Sequence, residues 1–272
     1  MKKILSVLIV LALTVLCLAG CGNSKEKKYD AAVKMINDGK YDEAVTSFEK
    51  LDGYQDSSKY IMYAKCLKAG YIGQYDAAIG SLETLGDFQE AKLYAGYFKA
   101  LRYEAKEEYE AARDIYAGQL LFRDVQQLYD ALPEKINARD YRVAEECRIN
   151  GDYARAYDMF NVLSGYLDSK EKLIQTDADW DFSYGNYPGA WQKYAQLDEK
   201  YITHSEDYAR MYDTANSYYA DKDYEAALQV YIELDTYKDS KDKAIQCVKN
   251  INARDYNADG DYEEAIAAFT TF

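Results

Sequence analysis

The apolar and small residues of this chain recur with spacings of mostly 34 to 38 residues, and with one spacing of 44. Each copy contains a tyrosine, which we call the anchor, followed three positions later by alanine and seven positions later by a large apolar side chain. The anchors are Tyr41, Tyr75, Tyr109, Tyr153, Tyr187, Tyr224 and Tyr262. Offsets of three and seven residues lie on one face of a helix, so each copy is predicted to contain an amphipathic helix.

A second helix is predicted upstream of each anchor. Nine positions before the anchor the side chain is always alanine or cysteine, and two positions before it glycine stands in five of the seven copies. Glycine tolerates the positive φ at which helices commonly end, and small side chains that face each other let two helices cross closely. The two helices of a copy are therefore predicted to form an antiparallel hairpin.

Short links join the predicted hairpins. Residues 54–57, 166–169 and 237–240 each combine a tyrosine with Asp-Ser, and these two residue types commonly cap the start of a helix, so we expect them to cap the next one. The 44-residue spacing contains an insert at residues 126–136, with Pro133 inside it. Because proline interrupts helices, we expect a short helix that ends before Pro133 and a new helix from about Glu134.

This pattern resembles the tetratricopeptide repeat (TPR) in its 34-residue period and its Gly-x-Tyr-x-x-Ala-x-x-x-Phe motif. The resemblance covers residues 29–272 and implies an all-α, right-handed solenoid of about seven TPR-like helix-turn-helix repeats. Repeats 1–3 are assigned to residues 29–125, and repeats 4–7 to residues 137–272, with the last one incomplete. Asp-Ser stands where the family has a proline after the second helix. Since solenoids usually close with a polar cap, we expect a further segment beyond Phe272, and a partner that covers the last repeat is the alternative.

The first residues have the pattern of a secretory signal. Two lysines precede an apolar run over residues 4–20, which is short for a membrane-spanning helix. Leu-Ala-Gly-Cys at residues 18–21 resembles the lipobox of bacterial lipoproteins, which implies removal of residues 1–20 as a signal peptide and diacylglycerol attachment at Cys21. Residues 21–28 are then a lipidated tether on the extracytoplasmic face of the bacterial cytoplasmic membrane. An uncleaved anchor helix is the alternative.

Charge and composition exclude several classes of function. The net charge of −14 becomes −16 without residues 1–20, which carry two lysines, and such a chain is not a general nucleic-acid binder. The single histidine, His204, stands beside Ser205 and Asp207, but residues so close in sequence do not form a catalytic triad by themselves. We therefore expect a polar loop at His204, and no enzymatic activity, cofactor or metal site.

Three cysteines lie outside the signal and the lipid site. They are Cys66, Cys147 and Cys247. No two of them are close in sequence, and an odd number of thiols cannot pair completely. We expect them to be buried small side chains, with one disulfide as the alternative.

Tyrosine is unusually frequent, with 30 copies, and one column of tyrosines is the candidate binding groove. It stands twelve positions before the anchor, at Tyr29, Tyr63, Tyr97, Tyr141 and Tyr212. The TPR resemblance implies that first helices line the inner curve, where these rings would form an exposed ladder for a protein ligand. The same positions share a helix face with the small column, so packing against the neighbouring helix is the alternative.

These features predict a membrane-anchored, extracytoplasmic helical-repeat scaffold that binds proteins or peptides. Its acidic body favours basic partners, and binding is expected to weaken with salt. Two other functions stay open. One is a cell-wall or carbohydrate-binding lipoprotein that packs sugar rings on tyrosine, and the other is an anchoring module for a missing C-terminal domain.

Overall fold

The computed structural model describes the backbone of residues 24–259 and the side chains of residues 24–255. The predicted signal peptide, the lipid site Cys21 and the seventh anchor Tyr262 lie outside the described residues. Residues 24–28, which the sequence analysis assigns to the tether, are helical. The structure therefore bears on the first six predicted hairpins and on the first helix of the seventh.

Between residues 24 and 259 the structure is all-helical and contains no strand. The first helix, α1, covers residues 24–37. The others are α2 (Tyr41–Glu49), α3 (Ser57–Tyr71), α4 (Tyr75–Leu85), α5 (Ala91–Glu104), α6 (Tyr109–Ala117), α7 (Val125–Ile149), α8 (Tyr153–Val162), α9 (Ser169–Ser183), α10 (Tyr187–Tyr194), α11 (Ser205–Ala220), α12 (Tyr224–Leu234) and α13 (Ser240–Asp259). Helices that follow one another in the chain pack together, as in an α-helical repeat. The predicted all-α class is confirmed for this part of the chain.

The structure confirms the predicted helices and places the start of each second helix at its anchor tyrosine. Each of the six described anchors is the first residue of a helix. The alanine three positions later is fully buried in all six copies: Ala44, Ala78, Ala112, Ala156, Ala190 and Ala227. The small residue nine positions before the anchor is also buried in every described copy. Two buried small columns thus stand in the helices of each hairpin, as the sequence predicts.

The turn inside each hairpin uses a residue with positive φ two positions before the anchor. In four described copies this residue is glycine with φ between 76° and 83°, namely Gly39, Gly73, Gly151 and Gly185. Two copies lack glycine, and there Glu107 and Lys222 have φ of 59° and 64°. The conformation therefore belongs to the hairpin turn, and glycine only makes it less costly.

The links between hairpins also share a backbone conformation. The residue after the link aromatic has φ between 46° and 52° in five links, at Gln55, Gln89, Arg123, Leu167 and Lys238. This left-handed conformation reverses the chain before the next helix begins. In three of these links the side chain at this position, Gln89, Arg123 or Lys238, reaches a tyrosine of the preceding hairpin.

The predicted capping by Asp-Ser is wrong in the 54–57 and 166–169 links. Asp56 makes no side-chain cap hydrogen bond, and neither does its counterpart in the 166–169 link. The serine hydroxyls donate backwards, from Ser57 Oγ to the carbonyl oxygen of Tyr54 (2.5 Å) and from Ser169 Oγ to that of Tyr166 (2.6 Å). Both serines are buried, so their hydroxyls need an acceptor inside the protein, and the link carbonyl is within reach.

Helix α7 crosses the predicted insert without a break. It contains Pro133 in its interior, so the predicted helix end before this residue is wrong. An internal proline costs about 3 kcal/mol through one lost hydrogen bond and a steric clash. Val125 and Leu132 on the same helix are fully buried, and tertiary packing of this kind supplies most of the stability of helices in proteins.

The chain divides into two compact units, with the boundary between Ile136 and Asn137 inside α7. We call the described residues 24–136 the N-terminal unit and the described residues 137–259 the C-terminal unit. In the N-terminal unit one buried apolar cluster extends from Ala32 to Leu132. The C-terminal unit contains two separate apolar clusters, one around Phe160 and one around Tyr208.

Candidate functional site

The five tyrosines predicted as a binding ladder lie mostly inside the cores. Tyr63 and Tyr97 are only 5% and 6% exposed, and the other three are partly buried. In those three copies the ring meets, at 5.6 to 6.2 Å, the large side chain seven positions after its own anchor: Tyr29 with Phe48, Tyr141 with Phe160 and Tyr212 with Tyr231. This burial favours the packing interpretation of the column over an exposed ladder.

The hydroxyl groups of the same column join each hairpin to the next link. Their partners stand 27 residues later in the sequence. The hydroxyls of Tyr97, Tyr141 and Tyr212 bond the carboxylates of Asp124, Asp168 and Asp239, and those of Tyr29 and Tyr63 face the main-chain N–H groups of Asp56 and Glu90. The fixed spacing of tyrosine and acidic residue is a signal that the sequence analysis missed, because it assigned the acidic residues to helix caps.

These bonds change the titration of the acidic partners. Burial raises the pKa of Asp168, but hydrogen bonds from the Tyr141 and Tyr201 hydroxyls outweigh burial and bring this pKa below its usual range. The hydrogen bond from Tyr212 is the largest influence on Asp239, and it lowers the pKa of that carboxyl. Burial raises the pKa of Tyr141, so its phenol stays neutral and donates.

A second group of tyrosines surrounds one arginine in the N-terminal unit. The guanidinium carbon of Arg123 lies 4.8 Å from the ring centroid of Tyr94 and 5.8 Å from that of Tyr71. Tyr71 stacks on Tyr41 with ring planes 10° apart, and Tyr94 meets Tyr63 edge-on. We call these five residues the Arg123 cluster. They come from α2, α3, α5 and the link before α7, and hence from successive repeats.

The Arg123 cluster is partly open to solvent. Tyr71 is 43% exposed and Arg123 is exposed, whereas Tyr63 and Tyr94 are buried. The Tyr71 ring is held in place by Tyr41 and by edge contacts with Tyr94 and Phe98, at centroid distances of 6.4 and 5.4 Å. Because the ring is already fixed, it loses little conformational entropy when a ligand packs against it.

The guanidinium of Arg123 has tyrosines as neighbours instead of carboxylates. Arg102, Arg148 and Arg254 each pair with a carboxylate, but no described carboxylate forms an ion pair with Arg123. Burial among the rings lowers the pKa of Arg123, and the nearby tyrosine hydroxyls outweigh this effect and raise it. Burial raises the pKa of Tyr71. The cluster therefore presents neutral phenols around a permanent positive charge.

A buried charged network lies in the C-terminal unit. Arg148 pairs with Glu145 (3.1 Å) and with Asp179 (2.8 Å), and Lys172 reaches Glu145 at 3.1 Å. The Asp179 side chain is 3% exposed and also accepts a hydrogen bond from the Tyr194 hydroxyl. Burial raises the pKa of Glu145, but its two cationic partners outweigh burial and the pKa is lowered. Such mutual pairing is typical of structural ion networks.

The single histidine lies directly before α11. The His204 ring stacks on Phe182 with centroids 3.7 Å apart, and its Nδ1 lies 2.8 Å from Oδ2 of Asp207. This contact is the largest influence on Asp207 and lowers the pKa of the carboxyl. No hydrogen bond joins Ser205 to His204 in the described structure, so these residues do not form the chain of contacts that activates a serine.

Other candidate features carry less chemistry. A groove of about 490 Å³ between α3 and α4 is lined by apolar and small side chains that include Ile61 and Met62. Cys66, Cys147 and Cys247 are buried free thiols, as predicted. Among the described side chains, no group of three His, Cys, Asp or Glu residues could hold a metal ion. None of the helices within residues 24–259 combines the length and apolarity needed to cross a membrane.

Comparisons with protein-family models, with curated proteins and with solved structures found no match. The Arg123 cluster combines an exposed, rigid aromatic surface with a cation that has no carboxylate partner, which makes it the feature best suited to binding.

Proposed function

We propose that this protein is a lipid-anchored helical-repeat scaffold that binds proteins or peptides on the extracytoplasmic face of the bacterial cytoplasmic membrane. The observation that carries the proposal is the Arg123 cluster, in which exposed Tyr71 and Arg123 lie together on a rigid support. Tyrosine and arginine are among the side chains that contribute most of the free energy at protein interfaces. The proposed role is binding alone, without a catalytic step or a cofactor.

The framework of the proposal is a right-handed, TPR-like solenoid. Its support is the repeated hairpin, in which the anchor tyrosine begins a helix and two small columns are buried. Repeat proteins of this kind present extended surfaces to which several neighbouring repeats contribute. The Arg123 cluster has this composition, since it takes its side chains from three successive hairpins and the following link.

The charge of the chain indicates the type of ligand. A net charge of −14 attracts cationic segments over a distance set by the ionic strength. We expect the full chain in detergent to bind a rhodamine-labelled, lysine-rich peptide with an affinity that falls as sodium chloride is raised, measured by fluorescence anisotropy. Absence of binding, or binding that salt does not change, would contradict a cationic ligand.

The membrane anchor is tested separately. We expect the mature protein to carry a diacylglycerol on Cys21 and to sediment with membranes of a bacterial host. Cys21→Ser should abolish the lipid mass and release the protein from the membrane fraction, whereas Cys17→Ser, which changes a signal-peptide cysteine, should leave both unchanged. A mature Cys21→Ser protein that still carries lipid would refute the assignment.

Carbohydrate binding is the second candidate function. It is favoured by the partial exposure of the Tyr71 ring, because aromatic rings also pack against sugars. Sedimentation with peptidoglycan and a glycan array distinguish this candidate from peptide binding. Glycan binding that depends on Tyr71, without binding of any lysine-rich peptide, would replace the first proposal.

A further inference from the structure

Arg123 carries a charge that its place in the fold does not require. The corresponding residues of the other links, with the same backbone conformation, are Gln55, Gln89, Leu167 and Lys238. Gln89 Nε2 donates to the hydroxyl of Tyr60 at 2.8 Å, and Arg123 makes the equivalent bond to Tyr94 one repeat later. An amide is thus sufficient for this hydrogen bond. The positive charge and the planar guanidinium of Arg123 are not required for it.

The surroundings of the Arg123 cluster favour a particular ligand. The exposed acidic residues Glu90 and Asp124 lie close to the hydroxyls of Tyr63 and Tyr97 and add negative charge beside the cluster. The exposed centre is different, because it consists of the Tyr71 ring and the guanidinium of Arg123. A ligand that is cationic along its length and aromatic at one position is complementary to both parts.

We infer, on the basis of the proposed function, that the Arg123 cluster binds an aromatic side chain of a cationic peptide segment, with the ligand ring packed against Tyr71 and the guanidinium of Arg123. An aromatic ring packs on tyrosine in offset or edge-to-face geometry, and its face also attracts a guanidinium. Lysines on either side of the ring are attracted by Glu90 and Asp124. The Arg123 cluster therefore favours ligands with an aromatic side chain, and the acidic residues around it favour positively charged segments.

Three peptides test this selection. They are lysine-rich, carry rhodamine at the N-terminus, and differ at one central residue, which is Trp, Leu or Ala. We expect the full chain in detergent to bind the Trp peptide about tenfold more tightly than the Ala peptide, as for an aromatic anchor in an interface. The Leu peptide should lie much nearer to the Ala peptide, because Leu offers no ring face to the guanidinium.

Variants of the protein locate the site. Tyr71→Ala should abolish the preference for Trp, and Tyr71→Phe should keep it. Tyr184→Ala is the matched control, because Tyr184 is 79% exposed and makes no ring contact in the described structure. Arg123→Gln, with the residue of the neighbouring link, should keep the fold and lower the preference about threefold, the effect of one exposed cation–π contact. Circular dichroism melting shows whether each variant is folded.

The outcomes separate the inference from the proposed function. Equal affinities of the three peptides for the unmodified chain would overturn the aromatic selection and leave peptide binding intact. A Trp preference that survives in both Tyr71→Ala and Arg123→Gln would also overturn it. Failure of all three peptides to bind would overturn both proposals. Binding of chitohexaose that depends on Tyr71, without a preference for Trp, would assign the cluster to a sugar.

Discussion

The two units fill the same helical frame with different chemistry. Eight positions before the anchor, the N-terminal unit has Val33, Leu67 and Leu101, whereas the next three copies have Glu145, Asp179 and Asn216. Among the described residues, Ser57 is the one polar residue that is fully buried in the N-terminal unit. Those buried in the C-terminal unit include Gln175 and Asp179. One column of the repeat thus changes from apolar to polar at the boundary between the units.

The difference shows what the repeat frame requires and what it leaves open. Where the column is apolar, burial alone stabilises the hairpin. Where it is polar, each group needs a partner. In two copies the tyrosine seven positions after the anchor supplies one, since the hydroxyl of Tyr194 donates to Asp179 and that of Tyr231 to Asn216 (2.9 Å). In the third copy Glu145 pairs with Arg148 instead. The polar column of the C-terminal unit therefore depends on such pairs, whereas the same column of the N-terminal unit is apolar and needs none.

The largest expected effect comes from breaking the buried network. Asp179→Ala leaves Arg148 with one fewer carboxylate in a buried site, and we expect it to lower the free energy of unfolding by about 3 kcal/mol. Both tryptophans, Trp180 and Trp191, lie in the C-terminal unit, so tryptophan fluorescence in urea follows this unit specifically.

A matched variant in the N-terminal unit provides the control. Asp76→Ala removes the partner of Arg102, but the Asp76 side chain is 84% exposed. A pair of this kind contributes less than about 1 kcal/mol, so the midpoint of the urea transition followed by circular dichroism should hardly change. A loss for Asp179→Ala as small as the loss for Asp76→Ala would contradict the role of the network.

A second test concerns the tight apolar packing of the N-terminal unit. A Cβ at Gly70 in α3 would lie 2.2 Å from the ring of Phe98, which is fully buried. We expect Gly70→Ala to lower the free energy of unfolding by about 1–3 kcal/mol through overpacking. In α4, Gly80 has no atom within 4 Å of the added Cβ, so Gly80→Ala should stabilise the helix by up to about 1 kcal/mol. Hydrogen–deuterium exchange of α3 and α4 measures both effects, and equal signs would refute the explanation.

Acid should weaken the C-terminal unit. Five carboxyls of this unit have a lowered pKa: Glu145, Asp168, Asp207, Glu225 and Asp239. A carboxyl whose folded pKa is depressed stabilises the protein above its unfolded pKa of about 4, and this contribution is lost as pH falls through the folded pKa. We expect the tryptophan-monitored urea midpoint to fall between pH 7 and pH 3. Asp168→Asn should reduce this fall, and an unchanged pH dependence would contradict the assignment of Asp168.

The smallest expected effect concerns the hairpin turns. Lys222 has a positive φ of 64°. This conformation is energetically less favourable for a residue with a side chain than for glycine. Lys222→Gly should raise the free energy of unfolding by about 0.5 kcal/mol, and Gly151→Ala at the equivalent turn should lower it by about 1 kcal/mol. Tryptophan fluorescence in urea measures both, since both turns lie in the C-terminal unit. Destabilisation by Lys222→Gly would show that φ does not limit this turn.

The hairpins could be predicted closely from the sequence because they depend on short-range periodicity. The anchor column marks the helix starts, and the alanine column marks buried positions, since both follow from the 3.6-residue turn of the helix. The predicted helix break at Pro133 is wrong. The prediction considers only the local free-energy cost of proline in a helix and omits the packing of Val125 and Leu132. The position of the candidate site had no comparable local signal.

The amino-acid order alone accounts for the helical class, the turns and the buried small columns, because each arises from neighbours within about two helical turns. The tertiary structure determines which side chains contact each other. Asp168 accepts from Tyr141 in place of a helix N–H, and Arg123 lies over Tyr94 in place of a carboxylate. Each contact joins a hairpin residue to the link that follows it, 27 or 29 positions later, so it exists only after the helices have packed and brought those side chains together.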